Sequence, residues 1–163
     1  MFTDADLELA ADILGRCRAR GARLAVAESC TGGLIAGLLT AIAGSSDVFE
    51  RGFVTYSNVA KEELLGVPAE LMRTKGAVSE EVARAMAEGA VARSYADAGL
   101  AVTGIAGPGG GSAERPVGLV HMATALRAGV VRHHREIFPG DRQEVRFATV
   151  RRGLLLLRET LAG

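Results

Sequence analysis

The chain has 163 residues, of which 48% are apolar, only 4% aromatic and none tryptophan, so alanine, valine and leucine must build its core. Nineteen basic residues balance nineteen acidic ones, which leaves no global basic field to draw nucleic acid. No apolar run reaches membrane-spanning length.

The acidic start, Met1 to Asp6, lacks the basic and apolar regions of a signal peptide. Cys17 and Cys30 show neither metal spacing nor a disulfide framework. Together these features point to a reduced, cytoplasmic protein. Thr3 and Asp6 mark a helix start, and Leu7, Ala10, Ala11, Leu14 and Cys17 recur at helical spacing until Gly21. Residues 22–27 read as a first strand, followed by a sharp turn at Ser29 and a helix over about 31–43. Residues 48–56 read as a second strand, with its better half at 52–56. Asn58 is placed to cap a short helix that Gly66 closes, and Pro68 opens another short piece. Ser79 caps a longer helix with Glu80 and Glu81 in its first turn. Residues 99–103 form a short apolar strand that suits burial on both faces. Residues 117–126 and 130–138 form a late hairpin around Arg127-Ala-Gly129. Asp141 and Glu144 then start a C-terminal helix striped by Phe147, Val150, Leu154, Leu157 and Leu161. The order predicts a single α/β layered domain, a mixed sheet flanked by helices.

Three turns that follow strands are rich in small or polar residues: 28–33, 56–61 and 103–111. In α/β sheets, ligands sit where such carboxyl-end loops converge. The third turn lacks the Gly-Lys-Ser/Thr ending of a P-loop, and a hairpin follows it where a dinucleotide fold would place a helix. Its amides can still cradle a phosphate. Ser29 is the candidate nucleophile; it or Thr31 can equally be a plain helix cap. Cys30 reads as a packing residue. His121, His133 and His134 all lie in the hairpin, away from the three turns, and the adjacent pair 133 and 134 faces opposite sides of a strand. Lys61 is the better base, because the first turn of a helix disfavours its cation and burial lowers its pKa. A solvated lysine beside Glu62 and Glu63 is the alternative. Tyr56 can orient Lys61 or relay its proton. Arg142 and Arg146, one turn apart, can grip a phosphate or pair with Asp141 and Glu144.

The segments 27–33, 52–58 with Lys61, 76–81, 103–110 with 116–118, and 138–142 closely resemble the CinA C-terminal domain family, in order and over essentially the whole chain. The resemblance implies hydrolysis of the carboxamide of nicotinamide mononucleotide to nicotinate mononucleotide and ammonia, with no metal or cofactor, commonly in a homodimer. It implies Ser29 as nucleophile, Lys61 as base and Tyr56 as relay. Substrate contacts fall to Glu28, Thr31, Gly32, Gly33, Thr103, Gly104, Gly107 and Arg142. Larger members carry an additional N-terminal nucleotide-processing domain, whose activity is not carried over. The competing reading is a non-catalytic nucleotide-binding or partner-binding module of the same fold.

Overall fold

The computed structural model describes all 163 residues. Its elements run α1 (Asp4–Ala19), β1 (Leu24–Glu28), α2 (Leu34–Thr40), β2 (Phe49–Val54), α3 (Asn58–Leu65), α4 (Ala69–Lys75), α5 (Glu80–Ala92), β3 (Ala98–Gly104), β4 (Leu119–Leu126), β5 (Val131–Ile137) and α6 (Arg142–Ala162). The strands form one sheet in the order β2-β1-β3-β4-β5. β2, β1 and β3 pair in parallel and β4 runs antiparallel to both of its neighbours, β3 and β5, so the sheet is mixed as predicted. No helix is long and apolar enough to cross a membrane.

The two faces of the sheet differ in side-chain size. Leu24, Val26, Leu100, Val102, Val120 and Met122 point to one face and pack with α1, α2 and α6. Ala25, Ala27, Ala101, Ala123 and Ala125 point to the other and meet α5 with parts of α3 and α4. Small residues there let α5 lie close against the sheet: a Cβ added to Gly99 would sit 2.8 Å from the Ala87 carbonyl oxygen. The apolar stripe of α6 belongs to the core, with Val150, Leu154, Leu157 and Leu161 all buried.

Several boundaries differ from the sequence expectation, three of them with a local cause. α2 begins at Leu34 and not near Thr31, because Gly33 adopts φ 103° and ends the turn. Ser57, not Asn58, caps α3, its side chain accepting from the Ala60 amide at 3.0 Å. β4 starts at Leu119, because Gly118 holds φ 93° and its would-be Cβ meets the Phe138 backbone. The caps Thr3, Ser79 and Asp141 stand where the sequence put them, two of them as reciprocal capping boxes.

The parallel register sets Glu28 beside Val54 and Val102. The next residues, Ser29, Thr55 and Thr103, therefore lie side by side at one end of the sheet, where the three strands lead into neighbouring turns. Replacing Gly99 by alanine should lower the urea midpoint by an amount worth about 1–3 kcal/mol, since the new methyl meets backbone and Val91. An unchanged midpoint would refute this close α5 approach.

Candidate functional site

The turn after β1 is shaped by a carboxylate. Glu28 is fully buried. It accepts hydrogen bonds from the amides of Gly33 (3.1 Å), Ile35 (3.0 Å) and Ala36 (2.8 Å) and from the Thr31 hydroxyl (2.6 Å). The amides are donors that a helix N-terminus leaves open. Neither Ser29 nor Thr31 caps the helix; Glu28 does. As a consequence Glu28 is not in the cavity wall. Thr31, Gly32 and Gly33 also lie outside it, in the turn that carries Ser29.

Ser29 is left free for other work. Its Oγ lies 3.0 Å from Lys61 Nζ, and Lys61 donates to the Thr55 carbonyl at 2.8 Å. Lys61 is 1% exposed. It has no carboxylate within ion-pair distance, so burial holds its pKa below the ordinary lysine value. It sits in the first turn of α3, where the helix dipole also opposes a cation. A buried, uncompensated lysine of lowered pKa gives up its proton more readily than an ordinary lysine, and its deprotonated form can accept the hydroxyl's proton. Cys30 is no rival: burial pushes its thiol up to about 12, so the nucleophilic thiolate is suppressed.

The amides after Ser29 sort themselves. Gly32 donates to the Ser29 carbonyl and Leu34 to the Thr31 carbonyl, while Gly33, Ile35 and Ala36 serve Glu28. Cys30 and Thr31 alone keep unpaired N–H groups between Ser29 and Ala36. In the third turn the amides of Ala106, Gly107, Gly109, Gly110 and Gly111 likewise donate to no protein acceptor.

Ser29, Tyr56, Lys61, Thr103, Gly107 and Arg142 line a cavity of about 300 Å³, with Gly104 also in its wall. Thr103 is fixed there by its hydroxyl's bond to the Ala77 carbonyl at 2.9 Å. Arg142 spans the opening, donating to the Gly107 carbonyl at 2.7 Å and to the Tyr56 hydroxyl at 2.8 Å. Tyr56 thus meets Arg142 and makes no hydrogen bond to Lys61. Beyond Arg142 lies a larger cavity of about 930 Å³. The two share Ala106 and Arg142, and the reactive groups belong to the smaller one.

Two positions have roles that differ from the sequence expectation. The resemblance groups Glu28 with substrate contacts, although an acid at a strand end ahead of a glycine pair and an unpartnered helix start is the signal for a remote cap. Arg146 reads from spacing as a phosphate or surface arginine, yet it donates to the carbonyls of Cys30 (3.1 Å) and Thr31 (3.0 Å). The histidines stay outside the site: His121 stacks on His133 with centroids 5.1 Å apart, and His134 meets Glu136.

A family model described as the CinA C-terminal domain matches residues 6–161. A CinA-like protein of Anaeromyxobacter sp. (strain Fw109-5) is 50% identical over 161 residues, 99% of this chain but 39% of that protein. One from Syntrophobacter fumaroxidans is 53% identical over 147 residues, 90% of this chain and 34% of its own. The chain therefore spans well under half the length of these relatives. Among solved structures, the competence/damage inducible protein CihA from Agrobacterium tumefaciens is 54% identical, with TM-score 0.96 over 100% of this chain and 99% of its own. The competence damage-inducible protein A from Klebsiella pneumoniae is 41% identical, with TM-score 0.92 over 96% and 97% of the two chains.

Substituting Glu28 by glutamine keeps the shape but turns an acceptor into a donor among donors. We expect a stability loss of about 2–3 kcal/mol in chemical unfolding. A variant as stable as the parent would contradict the capping role.

Proposed function

The chain belongs to the CinA C-terminal domain family, and from that premise we propose that it is an amidohydrolase converting nicotinamide mononucleotide to nicotinate mononucleotide and ammonia. The observation that carries the reading is Lys61: buried, without a counter-charge, and 3.0 Å from Ser29 Oγ. A lysine is costly in such a place, and activation of a nucleophile accounts for it. A module that only binds a nucleotide has no use for a neutral amine there.

In this mechanism Ser29 Oγ attacks the carboxamide carbon while Lys61 takes its proton. The unpaired amide of Cys30, which lines the cavity beside Ser29, receives the tetrahedral oxyanion, a donor worth roughly 3 kcal/mol. Collapse expels ammonia, which takes its proton from Lys61 and leaves an acyl-enzyme. Water, deprotonated by the same amine, then releases the carboxylate product. The ribosyl phosphate binds the free amides of the 106–111 loop and Arg142, supplying remote binding energy that holds the amide in place. A phosphate that draws Arg142 onto itself frees the Tyr56 hydroxyl to relay the proton between Lys61 and the leaving ammonia.

Purified protein mixed with nicotinamide mononucleotide should release ammonia, and Ser29→Ala and Lys61→Ala should each lower kcat by at least about 1,000-fold. Saturable binding without turnover would instead favour the binding module. Because the base must be deprotonated, kcat/KM should rise with pH through a pKa below the usual lysine value of 10.5. A profile flat from neutral to alkaline pH would remove Lys61 from that role.

A further inference from the structure

The nucleophile turn is held by a side chain to which the proposed chemistry gives no step. Arg146 lies one turn into α6 and is half-buried. The two acids nearest in sequence do not engage it, since Asp141 and Glu144 form the capping box of α6. Its Nε instead donates to the Cys30 carbonyl and its Nη2 to the Thr31 carbonyl.

We propose that Arg146 is the positioning residue of the oxyanion site, one guanidinium holding the turn that carries the cavity-lining Cys30 amide. The inference rests on the amidase reading above. The peptide group is planar and trans, so a carbonyl held on one side sets the following N–H on the other. The bond to the Cys30 carbonyl therefore fixes the Thr31 amide directly. The bond to the Thr31 carbonyl fixes the Gly32 N–H, which donates to the Ser29 carbonyl at 3.1 Å. Holding the Ser29 carbonyl sets the Cys30 amide in turn. Gly32 and Gly33, at φ 58° and 103°, make this turn one that would relax easily without outside support. A charged fork reaching two carbonyls at once supplies that support, and a lysine ammonium does not offer the same geometry. Arg146 also carries positive charge to the turn where the oxyanion develops.

The test separates orientation from mere folding. Arg146→Ala should lower kcat about 10- to 100-fold and leave KM for nicotinamide mononucleotide within about threefold, because the phosphate contacts lie elsewhere. Pyridine-3-boronic acid is the probe of the oxyanion site: its boron takes Ser29 Oγ, Lys61 takes the hydroxyl proton, and a boronate oxygen occupies the place of the oxyanion. Its inhibition should weaken by the same factor as kcat. Arg146→Lys should fall between the alanine variant and the parent. Boronate affinity and kcat both within about twofold of the parent would overturn the proposal, as would a fall in kcat with boronate affinity intact. Should the alanine variant fail to fold, the lysine variant is decisive by the same two readings. A parent protein that neither releases ammonia nor binds the boronate rejects the amidase reading itself, whereas an active parent with silent Arg146 variants rejects only the role given to Arg146.

Discussion

The site depends on where the first-turn amides of α2 find their acceptor. A helix start usually takes a hydroxyl or short acid at its own cap position. Here that position is Gly33, which has no side chain to offer, and the acceptor is a buried strand residue five positions earlier. Glu28 satisfies three amides and a hydroxyl with one carboxylate, so nothing is asked of Ser29. The serine is left with a hydroxyl free for Lys61 and two neighbouring amides that point to no protein acceptor. A hydroxyl engaged in capping would have been held by the helix and lost to the lysine.

Lys61 is the second constraint and is of the opposite kind. Glu28 is a buried acid whose oxygens accept from four donors; Lys61 is a buried amine matched only by a carbonyl and the Ser29 hydroxyl. Burial without a counter-charge holds the Lys61 pKa below the ordinary lysine value. The parallel register keeps the two residues adjacent, because Glu28 ends β1 beside the residues that lead into α3.

Much of this was legible in the sequence where the signal is local. Capping boxes at Thr3 and Asp141, the alternation that separates His133 from His134, and the strand-turn-helix pattern at Ser29 all act within a few residues. The convergence of three turns was also legible, since the order of elements predicts a sheet whose strand ends gather small polar loops. What could not be read were pairings across the chain. Arg142 meets Tyr56 from 86 residues away and Arg146 meets Cys30 from 116 away, and no periodicity encodes either. The Glu28 role fell between these cases: its partners are near in sequence, but a carboxylate reaching forward past a glycine pair resembles a pocket acid until the amides are traced.

The placement of both arginines on the first two turns of α6 gives the large-residue face of the sheet a part in function. That helix is anchored through Val150, Leu154, Leu157 and Leu161 in the same core that holds Leu24 and Val26 of β1. A helix seated on β3 and β4, with Gly153 against Leu100 and Val102, can hold Arg146 against the turn after β1 and Arg142 across the mouth of the cavity with one set of contacts. Interiors packed at crystal density do not deform gradually. A displacement of α6 would therefore disturb the turn after β1 and the Arg142 bridge together, while α5, packed against the alanine face, could shift without moving either guanidinium. Core substitutions on the α6 side are thus coupled to the candidate site in a way that equally destabilising ones on the α5 side are not.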